Sequence, residues 1–283
     1  MANIMGRNSL FARNDSMHPR EYEHQATYRA YLFGQFRLFC GTQLMNDLLR
    51  RRTKAGLLLQ WFLLNPGKLC SADEFIDLFW PDASAETAMG NFHVTMHYLR
   101  RVLEPTLDSR QEPTYIRRKL NNFYWFQMDE RWWIDASDVQ TLFERARTCD
   151  QRGEGQRAAF YYRKVAGYCS QGFLAGGNGE GWLRPYARRY TYIYAQVLAR
   201  LIQIYTQEQM PEEVLEYAYQ LLFLEPCHEE ATQVIIDAHL QQGNISLAQQ
   251  RLDEFRRASQ RELGSCSQQK FHMLRERIRA ASR

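Results

Sequence analysis

Apolar residues between positions 53 and 103 recur at helical spacing and predict three successive helices. The first runs from Thr53, which can cap it, to about Leu64, where the sequence Asn-Pro-Gly ends it. The second lies within residues 70–83, and the third runs from Ser84 to about Leu103. The inner face of the third helix is predicted to consist of Ala88, Phe92, Met96, Leu99 and Leu103.

The first two helices have predicted cores, and the second has a predicted cap. Ser71 and Glu74 stand three residues apart at the start of the second helix, which is the pattern of a capping box. The residues expected to be buried in the first helix are Leu57, Leu58, Trp61, Phe62 and Leu64, and those in the second are Phe75, Ile76, Leu78 and Phe79.

Alternating apolar positions predict short strands on both sides of the three helices. Residues 28–40 are rich in aromatic side chains and predict two strands broken near Gly34. Residues 114–128 predict a hairpin, because two apolar runs flank Asn121 and Asn122, and asparagine tolerates left-handed backbone angles. Strands, three helices and a hairpin follow one another in the order of a winged helix, whose third helix enters the major groove of DNA.

Positive charge is concentrated in the same segment. The whole chain has a net charge of +4. Residues 28–126 hold 13 Lys and Arg against 9 Asp and Glu, whereas residues 127–283 hold 20 of each and residues 1–27 hold three of each. A localised basic excess is the expected footprint of phosphate binding, so the segment 28–126 is the candidate for contact with DNA.

The outer face of the third helix carries basic, amide and hydroxyl groups and almost no acids, which suits either DNA or an ordinary solvated surface. Basic groups at the entrance to the first helix and on the hairpin favour DNA, because three separate elements then offer phosphate-binding side chains. The residues predicted to face base edges are Asn91, Val94, Thr95, His97 and Tyr98. The residues predicted to hold phosphates are Arg51, Arg52 and Lys54, beside Arg50, with Arg100 and Arg101, and the hairpin residues Arg117, Arg118 and Lys119.

The second half of the chain, residues 133–283, is predicted to be almost wholly helical. Two stretches correspond at a spacing of 34 residues, so that Tyr205 matches His239. Thirty-four residues is the tetratricopeptide period, in which each repeat is a pair of antiparallel helices. An earlier helix pair is predicted at about 138–150 and 155–169. Such a stack offers a groove to a partner and brings no catalytic group of its own.

Together these elements predict a mainly α protein with a small β component. Residues 1–27 are predicted to form a disordered tail, residues 28–128 a winged-helix DNA-binding domain, and residues 133–283 an all-α tetratricopeptide-like domain. The sequence shows no membrane-spanning apolar run and no signal peptide, and its cysteines are scattered, which predicts a cytoplasmic protein.

No pattern typical of an enzyme or a cofactor site is found. His93 and His97 have the four-residue spacing of a zinc-binding pair, but the sequence offers no third ligand, and the six cysteines form no C-x-x-C pair. The glycine-rich stretch 172–189 lacks the phosphate-loop pattern and predicts a loop. We therefore expect no enzyme activity, no metal and no cofactor.

The chain resembles the DNA-binding part of the Streptomyces antibiotic regulatory proteins (SARPs), which carry an OmpR-like winged helix, in LFGQFRLF, RRTKAGLLLQWFLLNPGK, DEFIDLFWPDAS, NFHVTMHYLRRVLEP and YIRRKLNNFYWF. It is similar to the bacterial transcriptional activator domain of that family in WWIDASDVQTLFERAR, GFLAGGNGEGWLRPYARRY and LLFLEPCHEEATQVIIDAHL. The resemblance covers residues 30–278. It departs at the wing tip, where Leu120, Asn121 and Asn122 replace the family's usual glycine-containing turn.

The resemblance implies a transcriptional activator that binds direct repeats in promoter DNA as side-by-side protomers, with a homodimer on the DNA as one arrangement. It also implies recruitment of RNA polymerase through its sigma factor, and targets in antibiotic or other secondary-metabolite gene clusters.

Two other functions fit parts of the same sequence. One is a helical-repeat adaptor, a protein–protein interaction module whose N-terminal domain binds another protein instead of DNA. The other is a ligand sensor, in which aromatic residues of the helical domain line a small-molecule pocket, although their helical spacing is more typical of a core. These residues are Trp182, Tyr186, Tyr190 and Tyr194.

Overall fold

The computed structural model describes residues 23–108, 110–119, 122–176, 181–262 and 268–281. They form two compact units. The first comprises the described residues up to Asp138 together with residues 174–176, and the second comprises the other described residues from Val139 onwards. The predicted fold class, mainly helical with a small β component, is confirmed.

The first unit is a winged helix with additional strands. Its elements are β1 (Tyr28–Tyr31), β2 (Arg37–Cys40), β3 (Gln43–Leu44), α1 (Asn46–Arg50), α2 (Thr53–Leu64), β4 (Cys70–Ser71), α3 (Ala72–Phe79), α4 (Ala85–Leu103), β5 (Ile116–Lys119), β6 (Phe123–Phe126) and β7 (Trp132–Ile134), followed by the start of α5 (Asp135–Gln151). The three predicted helices are α2, α3 and α4, and the predicted hairpin is β5 and β6.

Two small sheets accompany these helices. The first has the strand order β3-β2-β1-β7, with β2 antiparallel and β7 parallel to β1, and the second has the order β4-β6-β5. Gly34 lies between β1 and β2 with a φ of 76°, where the sequence predicts the break. The strand β7 was not predicted. Its three residues are at most 1% exposed, and a strand buried on both faces shows no alternation in its sequence.

The helix starts agree with the predicted caps in α3 and α4 but not in α2. Ser71 and Glu74 form a reciprocal capping box, and the Ser84 hydroxyl accepts a hydrogen bond from the backbone N–H of Thr87. Thr53 is already helical, and Arg52 stands at the N-cap of α2 without a side-chain cap hydrogen bond. The predicted Thr53 cap is therefore wrong.

The predicted cores of α2 and α3 are buried with three exceptions. Leu64 and Ile76 are half-buried, and Leu78 is 37% exposed. Phe75 and Phe79, one turn apart, fill the inner face of α3, so Leu78 lies beyond its edge.

Residues 23–27, the last part of the predicted N-terminal tail, are among the described residues. Residues 1–22 lie outside the described part of the chain, but residues 23–25 are helical. The Tyr31 hydroxyl donates a 2.5 Å hydrogen bond to the carboxylate of Glu23, so residues 23–27 belong to the folded unit.

An aromatic cluster forms the core between the two sheets. The ring of Tyr28 stacks on Trp132 with centroids 4.4 Å apart, and Tyr115 and Phe126 meet Trp132 edge-on at 5.3 and 5.0 Å. The Tyr28 hydroxyl donates to the carbonyl of Leu103 at 2.6 Å. The cluster thereby joins both sheets to the end of α4.

The buried carboxylate of Asp135 connects the end of β1 to the start of α5. It accepts hydrogen bonds from the backbone N–H groups of Leu32 and Phe33 at 2.8 and 2.9 Å. The neighbouring Asp138 accepts one from the indole N–H of Trp133 at 2.8 Å. Burial raises the pKa of Asp135 to about 7, and the nearby Asp138 adds to the rise, whereas the backbone donors oppose it.

The glycine-rich stretch is a loop where it is described, and it adds to the first unit. The N–H of Leu174 donates to the carbonyl of Leu32 at 2.7 Å, and the N–H of Ala175 donates to the carbonyl of Gly34 at 2.8 Å. Residues 177–180 of the predicted loop lie outside the described residues.

The second unit is helical. It contains the rest of α5, α6 (Gly155–Cys169), a 3-10 turn (Gly181–Leu183), α7 (Arg184–Gln207), α8 (Pro211–Leu224), α9 (Glu229–Gln241), α10 (Ile245–Glu262) and α11 (Gln268–Ala281). The helices α8 and α10 begin 34 residues apart, in agreement with the predicted period. The earlier pair, α5 and α6, is separated by Gly153, whose φ of 75° equals that of Gly243 before α10.

Two of the four aromatic residues considered for a ligand pocket belong to the core of this unit. Tyr190 is 3% exposed and stacks on Phe173 at 4.7 Å. Tyr194 is 8% exposed and donates to the side-chain oxygen of Gln220 at 2.8 Å. Trp182 and Tyr186 are half-buried. The helical spacing of these residues therefore reflects packing.

The environment of Asp135 predicts a pH-dependent stability. Because the folded state holds the Asp135 proton more tightly than the unfolded chain does, the free energy of unfolding should fall as the pH rises from about 4 to about 7. Asp135→Asn cannot ionise, so its urea-unfolding profile over this range should be flatter than that of the wild type. If the free energy of unfolding changed with pH equally in both proteins, Asp135 would not be the group that causes the change.

Candidate nucleic-acid interface

The helix α4 buries one stripe and exposes the other. Its predicted inner residues are at most 2% exposed. The opposite side presents Gly90, Asn91, His93, Val94, His97 and Arg101, all exposed and recurring every three or four residues. From Gly90 to Arg101 this outer stripe has no acidic side chain, whereas the exposed Glu86 lies one turn before Gly90.

Phe92 holds α4 in place at the middle of its inner stripe. Its ring stacks on Phe75 of α3 at 5.8 Å and meets Trp80 and Tyr124 edge-on at 6.3 and 5.1 Å. Since Phe75 belongs to the preceding helix and Tyr124 to the hairpin, one buried ring orients α4 against both.

The wing is the hairpin of β5 and β6. Arg117 pairs with Trp125, Arg118 with Tyr124 and Lys119 with Phe123 across the two strands. Asn122 has a φ of 60°, the left-handed angle that the sequence predicts for the turn. Leu120 and Asn121, the rest of the unusual wing tip, lie outside the described residues.

The wing presents three consecutive cations to solvent. Arg117, Arg118 and Lys119 are all exposed. The Nε–H of Arg117 donates to the carbonyl of Thr114 at 3.3 Å, and Arg118 donates to the side-chain oxygen of Asn122. These bonds use neutral oxygen acceptors, so the positive charge of the wing remains available.

The sequence predicts that Arg100 holds a phosphate. In the structure its side chain instead joins α4 to the wing. Its Nε–H donates to the carbonyl of Ile116 at 3.0 Å. Its guanidinium lies 5.8 Å from the ring centre of Tyr124, and Arg118 lies at the same distance from that ring. Burial lowers the pKa of Arg100, and the nearby Arg118 also lowers it. Arg100 therefore stabilises the packing of the wing against α4 in addition to contributing a positive charge.

Tyr98 connects α4 to the basic entrance of α2, and its predicted role at base edges is not supported. It is half-buried, and its hydroxyl donates to the carbonyl of Leu48 in α1 at 2.5 Å. The guanidinium of Arg52 lies 5.3 Å from the centre of its ring. The contact brings Arg52 next to α4.

Thr95 was predicted to face base edges, but the structure buries it. It is only 6% exposed, whereas the preceding Val94 is 50% exposed. The buried stripe of α4 is wide enough to include Thr95 beside Met96, so its hydroxyl and methyl groups cannot reach DNA.

The remaining predicted residues are accessible. Arg51 and Arg52 are exposed and Lys54 is half-buried at the start of α2. Arg101 is exposed and donates to the carbonyl of Leu107 at 2.9 Å.

Two residues of the outer stripe were not among the predicted contacts. His93 lies one turn before His97 on the exposed side of α4. At Gly90 an added Cβ would meet no atom within 4 Å, so the helix surface is open there. Helical spacing from His97 is the signal that identifies both positions.

The described parts of the chain offer neither a cluster of metal ligands nor a membrane-spanning helix. No group of three or more His, Cys, Asp or Glu is placed there to hold a metal ion. No helix in those parts is both long and apolar enough to cross a membrane.

The family model of the bacterial transcriptional activator domain matches residues 134–279, which is more than half of the chain. The chain belongs to the bacterial transcriptional activator domain family. The resemblance to SARPs predicted from the sequence is thereby confirmed, and the family is one of transcriptional regulators rather than enzymes. A comparison with curated protein sequences finds no match.

Among solved structures, the chain is similar to Mycobacterium tuberculosis EmbR in complex with a low affinity phosphopeptide. The TM-score is 0.69 at 15% sequence identity, and the similarity covers 89% of this chain and 65% of the EmbR chain. The likeness is one of fold, and the phosphopeptide belongs to EmbR. The fold of this chain, a winged helix followed by helical repeats, is therefore similar to that of the matched part of EmbR.

The position of Tyr98 predicts that its hydroxyl supports the fold and not DNA binding. Tyr98→Phe removes the hydrogen bond to the Leu48 carbonyl and should lower the free energy of unfolding by about 1 kcal/mol. Affinity for DNA should stay unchanged, because the ring beneath Arg52 is kept. Urea unfolding and DNA titration measure the two effects, and weaker DNA binding with unchanged stability would contradict this role.

Proposed function

We propose that this protein is a sequence-specific DNA-binding transcriptional activator that inserts α4 into the major groove. The observation that carries the proposal is the acid-free outer stripe of α4 with basic groups on two sides of it. Arg52 contacts α4 through Tyr98, and Arg118 contacts it through Tyr124. All these residues belong to the first unit.

In this proposal the outer stripe reads base edges. Asn91 offers an amide that can bind adenine in a bidentate manner, and Val94 offers an apolar contact for a thymine methyl group. His97 and His93 can donate to or accept from purine edges. The open surface at Gly90 lets the helix approach the bases closely.

The basic residues then hold the DNA backbone. Arg51 and Arg52 stand at the start of α2, where the backbone N–H groups have no side-chain cap and favour an anion. The wing residues Arg117, Arg118 and Lys119 bind the backbone beside the groove that α4 occupies. Arg101 adds a further exposed cation at the end of α4.

The family supports the later steps of this proposed function. Family resemblance suggests binding to direct repeats near a promoter and recruitment of RNA polymerase through its sigma factor. It also suggests a secondary-metabolite gene cluster as the target. The helical second unit is the part that we assign to protein partners rather than to a second DNA site. Residues 127–283, which contain this unit, hold 20 Lys and Arg and 20 Asp and Glu.

Removal of a wing cation tests backbone binding. Arg117→Ala should weaken binding to DNA of any sequence and reduce the slope of log affinity against log salt by about one. Fluorescence anisotropy with random-sequence duplexes over a salt series measures this slope. Arg163→Ala, which removes an arginine from the second unit, is the matched control and should leave it unchanged. An unaltered slope in Arg117→Ala would remove the wing from the interface.

Removal of a base-reading group tests specificity. Asn91→Ala should cost about 1–3 kcal/mol on a selected cognate duplex and little on random DNA. The same titrations with both duplexes measure the difference. If Asn91→Ala weakened binding to both duplexes equally, α4 would not be the reading element. If the wild type bound neither duplex at low salt, the adaptor function would replace DNA binding.

A further inference from the structure

The second unit is polarised in charge although the chain from residue 127 onwards sums to zero. Residues 201–250 contain eight Asp and Glu and no Lys or Arg. Residues 251–283 contain nine Lys and Arg against four Asp and Glu. The acidic span covers α8 and α9, and the basic span covers most of α10 and all of α11. Neighbouring parts of one helical stack therefore carry opposite charge.

The acidic part exposes aromatic side chains on α8. The inner stripe of this helix consists of Val214, Ala218, Leu221 and Leu222. The outer stripe consists of Glu212, Glu216, Tyr219 and Phe223, which recur at helical spacing and are all exposed. Phe223 is 87% exposed and Tyr219 is 47% exposed. We call this outer stripe the acidic face.

The basic part exposes arginines on α10 and α11. Arg257 and Arg261 lie one turn apart on the exposed side of α10, and each donates its Nε–H to the backbone carbonyl four residues earlier. On α11, Arg275 and Met273 are also exposed, but they are two residues apart and point to opposite sides of that helix. We call the pair Arg257 and Arg261 the basic face.

We propose that the acidic face of one copy binds the basic face of a second copy of this chain. The carboxylates of Glu212 and Glu216 match Arg257 and Arg261 in charge, and the Phe223 ring can pack on the stems of these arginines. Nucleic acid and anionic membranes do not suit the acidic face, because its carboxylates and their acidic neighbours repel phosphate. The exposed aromatic side chains give the contact an apolar centre.

A contact between two different faces is heterologous, so each copy still has one unused face after it binds a partner. Further copies can therefore add at that face, whereas a two-fold dimer uses the same face of both copies and is complete. Successive copies then follow one another head to tail. Direct repeats in DNA have the same order, so the contact suits protomers on tandem sites. That consequence rests on the proposed function, whereas the contact itself does not.

Sedimentation equilibrium of the full chain without DNA tests the contact. The wild type should associate at low salt and dissociate as salt is added, because exposed charges are screened. Phe223→Ser should raise the dissociation constant about tenfold. Circular dichroism checks that each variant is folded, which is expected because the substituted side chains are exposed. A wild type that stays monomeric at all accessible concentrations would overturn the proposal.

A charge exchange tests the pairing of the two faces. Glu212→Lys with Glu216→Lys should abolish association, and so should Arg257→Glu with Arg261→Glu. An equimolar mixture of the two variants should associate again, since each supplies what the other lacks. Glu130→Lys with Glu144→Lys has the same net charge as the first variant and should associate as the wild type does.

Three results would overturn the pairing: association in either reversed variant alone, no association in their mixture, or loss of association in the control. Binding of a single DNA site by the Glu212→Lys, Glu216→Lys variant is measured in parallel. That binding is expected to persist whether or not the faces pair, so the two proposals fail separately.

Discussion

The burial of Phe92 is the constraint on which the proposed interface depends. Its ring lies between Phe75 of α3 and Tyr124 of the wing, and it is fully buried. Once this ring and Met96, Leu99 and Leu103 face inward, helical geometry leaves only the opposite stripe to solvent. The same packing fixes the wing relative to α4, because Tyr124 is part of β6. The helix that we propose to read DNA and its basic flank are thus positioned by one apolar cluster.

The arginines near this cluster divide into two kinds. Arg100 donates to the Ile116 carbonyl and is half-buried beside Tyr124, so much of its contribution is to hold the wing. Arg117 and Arg118 are exposed on the wing itself. Hydrogen bonds from exposed arginines to neutral oxygen atoms leave the charge free for an anion. A basic residue near a DNA-binding helix therefore has to be assigned by its acceptors, not only by its position in the sequence.

Much of the architecture could be predicted from the sequence because it follows from periodicity. The spacing of apolar residues located α4, and the period of 34 residues located the starts of α8 and α10. The strand β7 was missed because both of its faces are buried, which removes the alternating pattern. Trp133 and Ile134 had been assigned to the helical domain, and Trp132 to neither domain, although β7 pairs with β1 in the first unit.

The candidate site was predictable as a face but not residue by residue. A helical projection places Thr95 and Tyr98 at the border between the two stripes of α4. Their environment depends on α1, whose carbonyl at Leu48 accepts the Tyr98 hydroxyl. The short helix α1 has too few residues for a periodic signal. Lateral contacts of this kind decide burial at the edge of a stripe, and they come from tertiary packing alone.

We propose that this chain reads promoter DNA through α4. The decisive experiment is immunoprecipitation of the tagged protein from its own cells, followed by sequencing of the bound DNA. A few sharp peaks upstream of promoters, sharing a tandem direct repeat, are expected, and Asn91→Ala should abolish them. DNA recovered no better than from an untagged strain, with the protein folded and present, would contradict it.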